Sequence, residues 1–392
     1  MARPETWRRN LYAVFLAELL AITGFDVVLG FLPYYVQVLG VTAPEQVKPW
    51  SGWVYSLPAI AMGLTAPLWG ALADRFGHKL MLQRAIFAGS VLLGIMGFVT
   101  GPRQLLAFRT VQGALTGTVA AAYAFVAATT PAQHRGFALG MLQVGVYLGA
   151  SAGPLLGGLL IDTWGFRPAY LTSAAFLGAG AWVVTLLAHD GGTHSAAKRG
   201  TPVLKGMRLA IRSPGVLAVF GTRFLVAVAA RTVGPMLPLL VQALATGQTR
   251  VASLAGLLES VSMACIALAS MASGRYGERI GYRRVLTVSV AVAAVSILLT
   301  GLAQGPTPLL LLRAVDGLAM GGILVALNTT LASAAPEGRQ GAALGLQSSV
   351  EAAAEAVGPA LGAALAVALG LRAPFFAAAA ALGLAIAFLR WT

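Results

Sequence analysis

The sequence predicts an all-α polytopic membrane protein, with twelve transmembrane helices arranged as two pseudo-symmetric six-helix bundles. Three observations carry this. First, of 392 residues 58% are hydrophobic and only 10% are charged, whereas an ordinary soluble domain carries about 25% charged residues. Second, the apolar residues fall in long blocks and not in the alternation of an outer-membrane barrel, at a mean hydropathy of +0.79. Third, the second half of the chain repeats the first in register. A soluble enzyme, a disordered chain and a disulfide scaffold are excluded by the same composition. The lone Cys265 allows neither an internal disulfide nor a thiolate metal cluster. His78, His134, His189 and His194 fall in polar loops without ligand spacing, so no metal site is expected.

A span needs about 20 apolar residues to cross about 30 Å of hydrocarbon. Such runs lie near 11–39, 51–72, 80–100, 104–129, 136–162 and 168–188. A second set follows near 215–243, 251–273, 285–304, 307–334, 341–369 and 373–391. These define an N-terminal bundle over 1–188, a cytoplasmic linker over 189–214 and a C-terminal bundle over 215–392. The first run is longer than a signal-peptide core and no small-residue cleavage site follows it, so an uncleaved span is expected. Eighteen of the 27 Lys and Arg lie at the termini or in even-numbered loops, five (Lys48, Arg103, Arg167, Arg250, Arg372) in odd-numbered loops and four inside helices. The positive-inside rule then places both termini in the cytoplasm. The +14 net charge is scattered over short loops and implies no nucleic-acid partner. In the linker, Lys205, Arg208 and Arg212 recur at helical spacing among Val203, Leu204, Leu209 and Ile211. That pattern suits either a short amphipathic helix on the anionic inner leaflet or a plain basic linker.

The internal repeat is read from offsets. Gly70, Arg75 and Gly77 recur 204 residues later as Gly274, Arg279 and Gly281, with Asp74 becoming Glu278. Arg109 and Gly113 recur as Arg313 and Gly317. At an offset of 205, Leu32-Pro33 matches Leu237-Pro238, Val36-Gln37 matches Val241-Gln242, and Gly165 and Arg167 match Gly370 and Arg372. Six helices separate the copies, so both run the same way through the membrane. Parallel repeats of this kind place a substrate site between them near the midplane.

These residues resemble a known family. Gly70-Ala-Leu-Ala-Asp-Arg-Phe-Gly-His-Lys-Leu-Met-Leu82 is similar to the loop signature between helices two and three of the major facilitator superfamily, with His78 where a basic residue is usual. Arg109-Thr-Val-Gln-Gly113 matches its fourth-helix signature. Gly149-Ala-Ser-Ala-Gly-Pro-Leu-Leu-Gly-Gly-Leu-Leu160 matches the fifth-helix signature of its antiporters. The stretches Trp7-Arg-Arg-Asn-Leu11, Phe31-Leu-Pro33 and Trp50-Ser-Gly52 further resemble bacterial MdtG-like multidrug exporters. The resemblance implies the major facilitator fold and a proton-coupled antiporter exporting lipophilic compounds, cations among them. It implies the proton gradient as energy source with no cofactor, and residence as a monomer in the bacterial cytoplasmic membrane. It further implies a cytoplasmic latch built on Gly70, Asp74, Arg75, Gly77, Lys79, Glu278 and Arg279.

The latch has a physical logic of its own. Gly70 and Gly77 permit close approach and a tight turn, Asp74 can accept from a helix N-terminus, and Arg75 and Lys79 can pair with carboxylates. In the fifth helix Gly149, Gly153, Gly157 and Gly158 provide a smooth packing face and Pro154 removes a backbone donor. The resemblance adds an antiport role to that packing.

Ionisable groups within spans cost about 2.5 kcal/mol or more, so each is a candidate. Asp26 lies about 24 Å along the first helix if it enters near residue 10, and the eight residues from Glu18 turn about 80° net. At an offset of 205 the seventh helix carries Arg223 and Arg231 at the corresponding positions. The expected arrangement has the acids of helix one facing the arginines of helix seven across a central cavity. Asp26 is the first choice as proton carrier and Glu18 the second; static ion pairs holding the halves together are the competing reading. Arg109 resembles the buried arginine tied to proton coupling in the family. Arg313 and Asp316 are three apart and read as a local pair. Glu351 and Glu355 share one face of the eleventh helix, and Glu259 is a further cavity candidate. Tyr34, Trp53 and Tyr55 are aromatic candidates for gripping a flat substrate, alongside Phe31 and Tyr35.

An intramembrane enzyme is the competing class, but there is no His-Glu-x-x-His, no Gly-x-Ser-x-Gly with a histidine inside a span and no phosphate-binding P-loop. A dedicated single-solute exporter or a lipid flippase on the same scaffold stays open, because fold does not settle function.

Overall fold

A computed structural model describes residues 6–189, 214–245, 247–334 and 340–390. The expected amphipathic stretch around Lys205, Arg208 and Arg212 lies outside them. The described residues form α-helices with no β-strand. In chain order these are α1 (Thr6–Leu29), α2 (Leu32–Val38), α3 (Pro44–Phe76), α4 (His78–Met96), α5 (Pro102–Leu115), α6 (Thr118–Thr129), α7 (Arg135–Trp164) and α8 (Phe166–Leu187). They continue as α9 (Pro214–Val233), α10 (Met236–Leu244), α11 (Val251–Ile280), α12 (Tyr282–Leu302), α13 (Pro306–Ala334), α14 (Gln340–Leu369) and α15 (Ala373–Arg390).

Three expected single spans are broken, each for a local reason. The first stops at Leu29 and restarts at Leu32, where Pro33 in the first turn of α2 has no backbone N–H to offer the preceding helix. Its repeat behaves alike: α9 and α10 meet at a 42° bend around Gly234-Pro235. The fourth span breaks between α5 and α6 at Gly117, whose φ of +120° suits glycine alone. Among the described residues ten helices are long and apolar enough to cross a membrane, eleven with the bent pair as one span. The shorter apolar helix Ala373–Leu389 brings the tally to the expected twelve. Large side chains such as Leu64, Trp164 and Leu369 stay exposed, as a surface meeting acyl chains requires.

The chain forms two compact units. Of the described residues, unit 1 holds those within Met1–Val41, Leu57–Lys198 and Thr249–Ser260, and unit 2 those within Thr42–Ser56, Arg199–Gln248 and Val261–Thr392. The division is therefore not a single cut in sequence, because the first turns of α3 group with unit 2 and those of α11 with unit 1. In unit 1, α1 packs on α7, α8 and α6, and α4 packs on α8, α5 and α6. In unit 2 the same relations recur one repeat later: α9 packs on α14 and α15, and α12 on α13 and α15.

Candidate functional site

The antiporter-type run on α7 forms a packing ridge against α1. A Cβ on Gly149 would lie 2.9 Å from the Leu19 carbonyl oxygen, one on Gly153 would lie 2.6 Å from the Asp26 Cβ, and one on Gly157 would lie 1.9 Å from the Val27 carbonyl oxygen. Glycine is needed at all three because the α1 backbone sits where a side chain would go. In a bilayer, which offers no hydrophobic drive between helices, such close packing is the main source of association. Gly158 and the Pro154 carbonyl meet the start of α11 instead, at Ala252 and Gly256. There Asp162, at the end of α7, accepts from the Ala252 N–H at 3.2 Å and the Ser253 N–H at 2.6 Å. This carboxylate caps two of the four unsatisfied amides of a helix start.

The ridge sets the two acids of α1 in different surroundings. Asp26 is half-buried against Gly153. Glu18 is 0% exposed, and neither carboxyl oxygen has a hydrogen-bond partner among the described residues. The Tyr123 hydroxyl of α6 donates to the Gln143 side-chain oxygen on α7.

The arginines of the seventh span are engaged differently from the sequence expectation. Arg223 is 7% exposed and pairs with Glu351 of α14, while its second nitrogen donates to Asn328 Oδ1 of α13 at 3.0 Å. Gln347 donates to the same Asn328 oxygen at 3.3 Å. Arg231, 54% exposed, pairs with Glu355. The partners of both arginines are thus on α14 within unit 2, and not the acids of α1. The physical reason is the packing of α9 on α14 through Gly358 and Gly362, where added Cβ atoms would lie 2.5 Å from the Arg231 Cβ and 2.2 Å from the Thr232 carbonyl oxygen. With the backbones that close, carboxylates four residues apart on α14 fall beside arginines eight apart on α9. Glu351 and Glu355 do share a face, and it is this one.

The remaining candidates divide. Arg313 and Asp316 form the expected local pair at 2.8 Å, both largely buried. Arg109 donates to Gln112 three residues on. Glu259 is half-buried on α11, Tyr34 is buried, Tyr55 is half-buried and Trp53 is 48% exposed. Tyr35 is packing: it donates to the Met96 carbonyl at 2.7 Å and lies against Phe166 and Tyr170. In the latch, Gly77 has a φ of +94° and its repeat Gly281 of +89°, which makes the expected tight turn. Gly70 departs from expectation, as nothing lies within 4 Å of a Cβ built there, and the same holds for Gly274. Among the described residues Asp74 and Arg75 form no ion pair, nor do Glu278 and Arg279. Asp74 is exposed, Arg75 lies over the Phe76 ring, and Lys79 donates to the Thr185 carbonyl at 3.3 Å, near the negative end of the α8 dipole. Arg84 lies on α4 with its guanidinium 3.3 Å above the Trp69 ring.

Several residues escaped the sequence reading. Asn328, Gln347, Tyr123, Gln143 and Asp162 are uncharged or end-of-helix groups that carry no signal until their neighbours are known. Gly358, Pro359 and Gly362 did carry one: they are Gly153, Pro154 and Gly157 displaced by 205.

Comparison with known proteins agrees with this architecture. The sequence model of the Major Facilitator Superfamily matches residues 14–240 and 219–392. The multidrug resistance protein MdtG of Rahnella sp. (strain Y9602) is 34% identical over 329 residues, covering 84% of this chain and 80% of that protein. The protein of the same name from Serratia proteamaculans (strain 568) is 35% identical over 333 residues, covering 83% and 79%. Among solved structures, a variant of the nucleoside transporter NupG superposes with a TM-score of 0.78 at 14% identity, over 97% of this chain and 99% of that one. A bacterial homologue of the human lysosomal transporter Spinster superposes with a TM-score of 0.79 at 16% identity, over 100% and 97%. These structural likenesses show the fold. The family match over both repeats and relatives a third identical along most of the chain show that this multi-pass membrane protein belongs to the Major Facilitator Superfamily, as a transporter similar to the MdtG proteins.

Proposed function

We propose that the protein is a proton-coupled multidrug efflux antiporter, exporting lipophilic compounds, cations among them, by alternating access in the bacterial cytoplasmic membrane. It acts as a monomer and draws on the proton gradient alone. The observation that carries the reading is the Glu18 carboxyl, sealed inside unit 1 without a hydrogen-bond partner among the described residues. Ionising it in place would leave an unpaired anion in apolar surroundings at a cost of several kcal/mol. An acid in that position within a membrane marks a proton or ligand pathway. Asp26, two turns on and half-buried, is the more accessible partner in the exchange, where a proton or a drug cation takes the charge. In unit 2 the corresponding arginines are matched by Glu351 and Glu355, so the exchange chemistry is assigned to the acids of α1. Arg109, which donates to Gln112, acts as a fixed cation in the coupling. The drug class rests on the likeness to proteins named for multidrug resistance.

The test uses purified protein in proteoliposomes with an imposed pH gradient and a pH-sensitive dye. Several unrelated lipophilic drugs should each trigger proton release, and Asp26→Asn and Glu18→Gln should each abolish it while the protein stays folded. Uphill drug transport retained in both variants overturns the coupling assignment. A response to a single solute, or to labelled lipid alone, replaces multidrug export by a dedicated exporter or a flippase.

A further inference from the structure

In unit 2 a polar cluster joins three helices, and the proton exchange assigned to α1 does not account for it. Arg223 of α9 pairs with Glu351 Oε1 of α14 and donates to Asn328 Oδ1 of α13 at 3.0 Å. Gln347 Nε2 of α14 donates to that same Asn328 oxygen at 3.3 Å. Two donors on one oxygen fix the Asn328 amide, so its NH2 group turns the other way. The Arg223 side chain is 7% exposed, and its Nε is sealed without a partner among the described residues. The guanidinium therefore lies behind the cluster. The groups in front are open: Asn328 is exposed, Gln347 half-buried and Glu351 47% exposed. Ionisable groups within spans face the bundle interior or a water-filled path and not acyl chains, so the open side of Glu351 meets water and solutes.

The hydrogen-bonding capacity left at this face decides what it can hold. Among the described residues Glu351 Oε2 and Gln347 Oε1 have no donor, and the Asn328 NH2 has no acceptor. The Arg223 and Glu351 charges cancel at contact distance, so the cluster prefers neither an anion nor a cation. A neutral N–H or O–H suits it, because hydrogen bonds to a charged acceptor are the strong ones. A hydroxyl or primary amide answers both sides, since it also accepts from the Asn328 NH2. We propose that Arg223, Asn328, Gln347 and Glu351 form a substrate subsite that selects lipophilic compounds carrying a hydroxyl or a primary amide. The substrate touches Glu351, Gln347 and Asn328, while Arg223 is the positioning residue that holds the carboxylate in place. Charge on a substrate is read by the acids of α1, and its hydrogen-bonding groups by unit 2. The inference rests on the reading of the protein as an exporter of lipophilic compounds, and not on its coupling to protons.

The test is equilibrium binding of two lipophilic cations, alike in charge and size, to the purified full-length protein by isothermal titration. Hydroxybutyl triphenylphosphonium carries the donor, and its methyl ether keeps the oxygen but loses the O–H. The hydroxyl compound should bind about tenfold or more tighter, the worth of one hydrogen bond to a charged acceptor. Arg223→Met together with Glu351→Met removes that acceptor without leaving a lone buried charge, and should bring the two affinities together. Gln347→Leu, on a half-buried side chain, should narrow the gap. A gap that survives the double replacement, or that closes equally in Arg231→Met with Glu355→Met, overturns the proposal. Equal binding of both compounds by the unaltered protein does the same. Binding of neither compound removes lipophilic cations as a substrate class and the proposal with it. If the gap behaves as described but neither compound triggers proton release in proteoliposomes, the coupling reading falls and the subsite stands.

Discussion

Glu18 and Asp26 on α1 have the arginines Arg223 and Arg231 as their counterparts on α9, yet the two pairs of positions are served differently. In unit 2 the charges are answered by Glu351 and Glu355. Displaced back by 205, those acids become Val146 and Ala150, so α7 offers no carboxylate or base at the mirror positions. Burial ranks the two ion pairs. Arg223 is 7% exposed and shares its charge with Asn328, whereas Arg231 is 54% exposed. Arg223→Ala should therefore lower stability by about 2 kcal/mol, moderated because Glu351 itself is 47% exposed. Arg231→Ala should cost about 1 kcal/mol or less, as exposed pairs do. Thermal unfolding in detergent checks the order, and a larger loss for Arg231→Ala would contradict the packing described. The charge inversion between the repeats was legible from the offset alone. The partners were not, because an offset states which positions correspond and not which helix stands beside them.

At the scale of helices, glycine decides which contacts are obligatory. Gly157→Ala would drive a Cβ to 1.9 Å from the Val27 carbonyl oxygen, while at Gly149 the nearest atom is 2.9 Å away. Neither backbone can move freely, so Gly157→Ala should destabilise by about 3 kcal/mol and Gly149→Ala by about 1 kcal/mol, measured as the denaturation midpoint of the purified protein. Gly70 and Gly77, seven residues apart in one loop signature, part company in the same assay. A Cβ at Gly70 meets nothing within 4 Å, and the residue is inside α3, so Gly70→Ala should be neutral or stabilising by up to about 1 kcal/mol. Gly77→Ala forces a side chain onto a φ of +94° and should cost about 1 to 2 kcal/mol. Asp162→Ala removes the cap on α11, at about 1 kcal/mol, and Asp162→Asn should restore most of it because the amide oxygen still accepts.

For the whole molecule, the repeat and the charge bias make a topological demand. The lone Cys265 is half-buried, and Cys265→Ala gives a background without cysteine. Single cysteines at Lys48, Arg103 or Arg167 should react in intact cells with a membrane-impermeant maleimide. Cysteines at His78 or His134 should react only after the membrane is opened. The opposite pattern would invert the orientation that the positive-inside count predicts.

The amino-acid sequence by itself determined the twelve spans, the parallel repeat, the family and the glycine ridge of α7, because each is written in composition or spacing along one chain. Tertiary structure alone decided that Arg223 and Arg231 answer to Glu351 and Glu355, that Asp162 caps α11, and that Glu18 is fully buried. Hydrogen bonds and ion pairs act over about 3 Å, and residues that close together in space are here up to 304 positions apart in sequence. Only the close approach of the helix backbones brings them within reach.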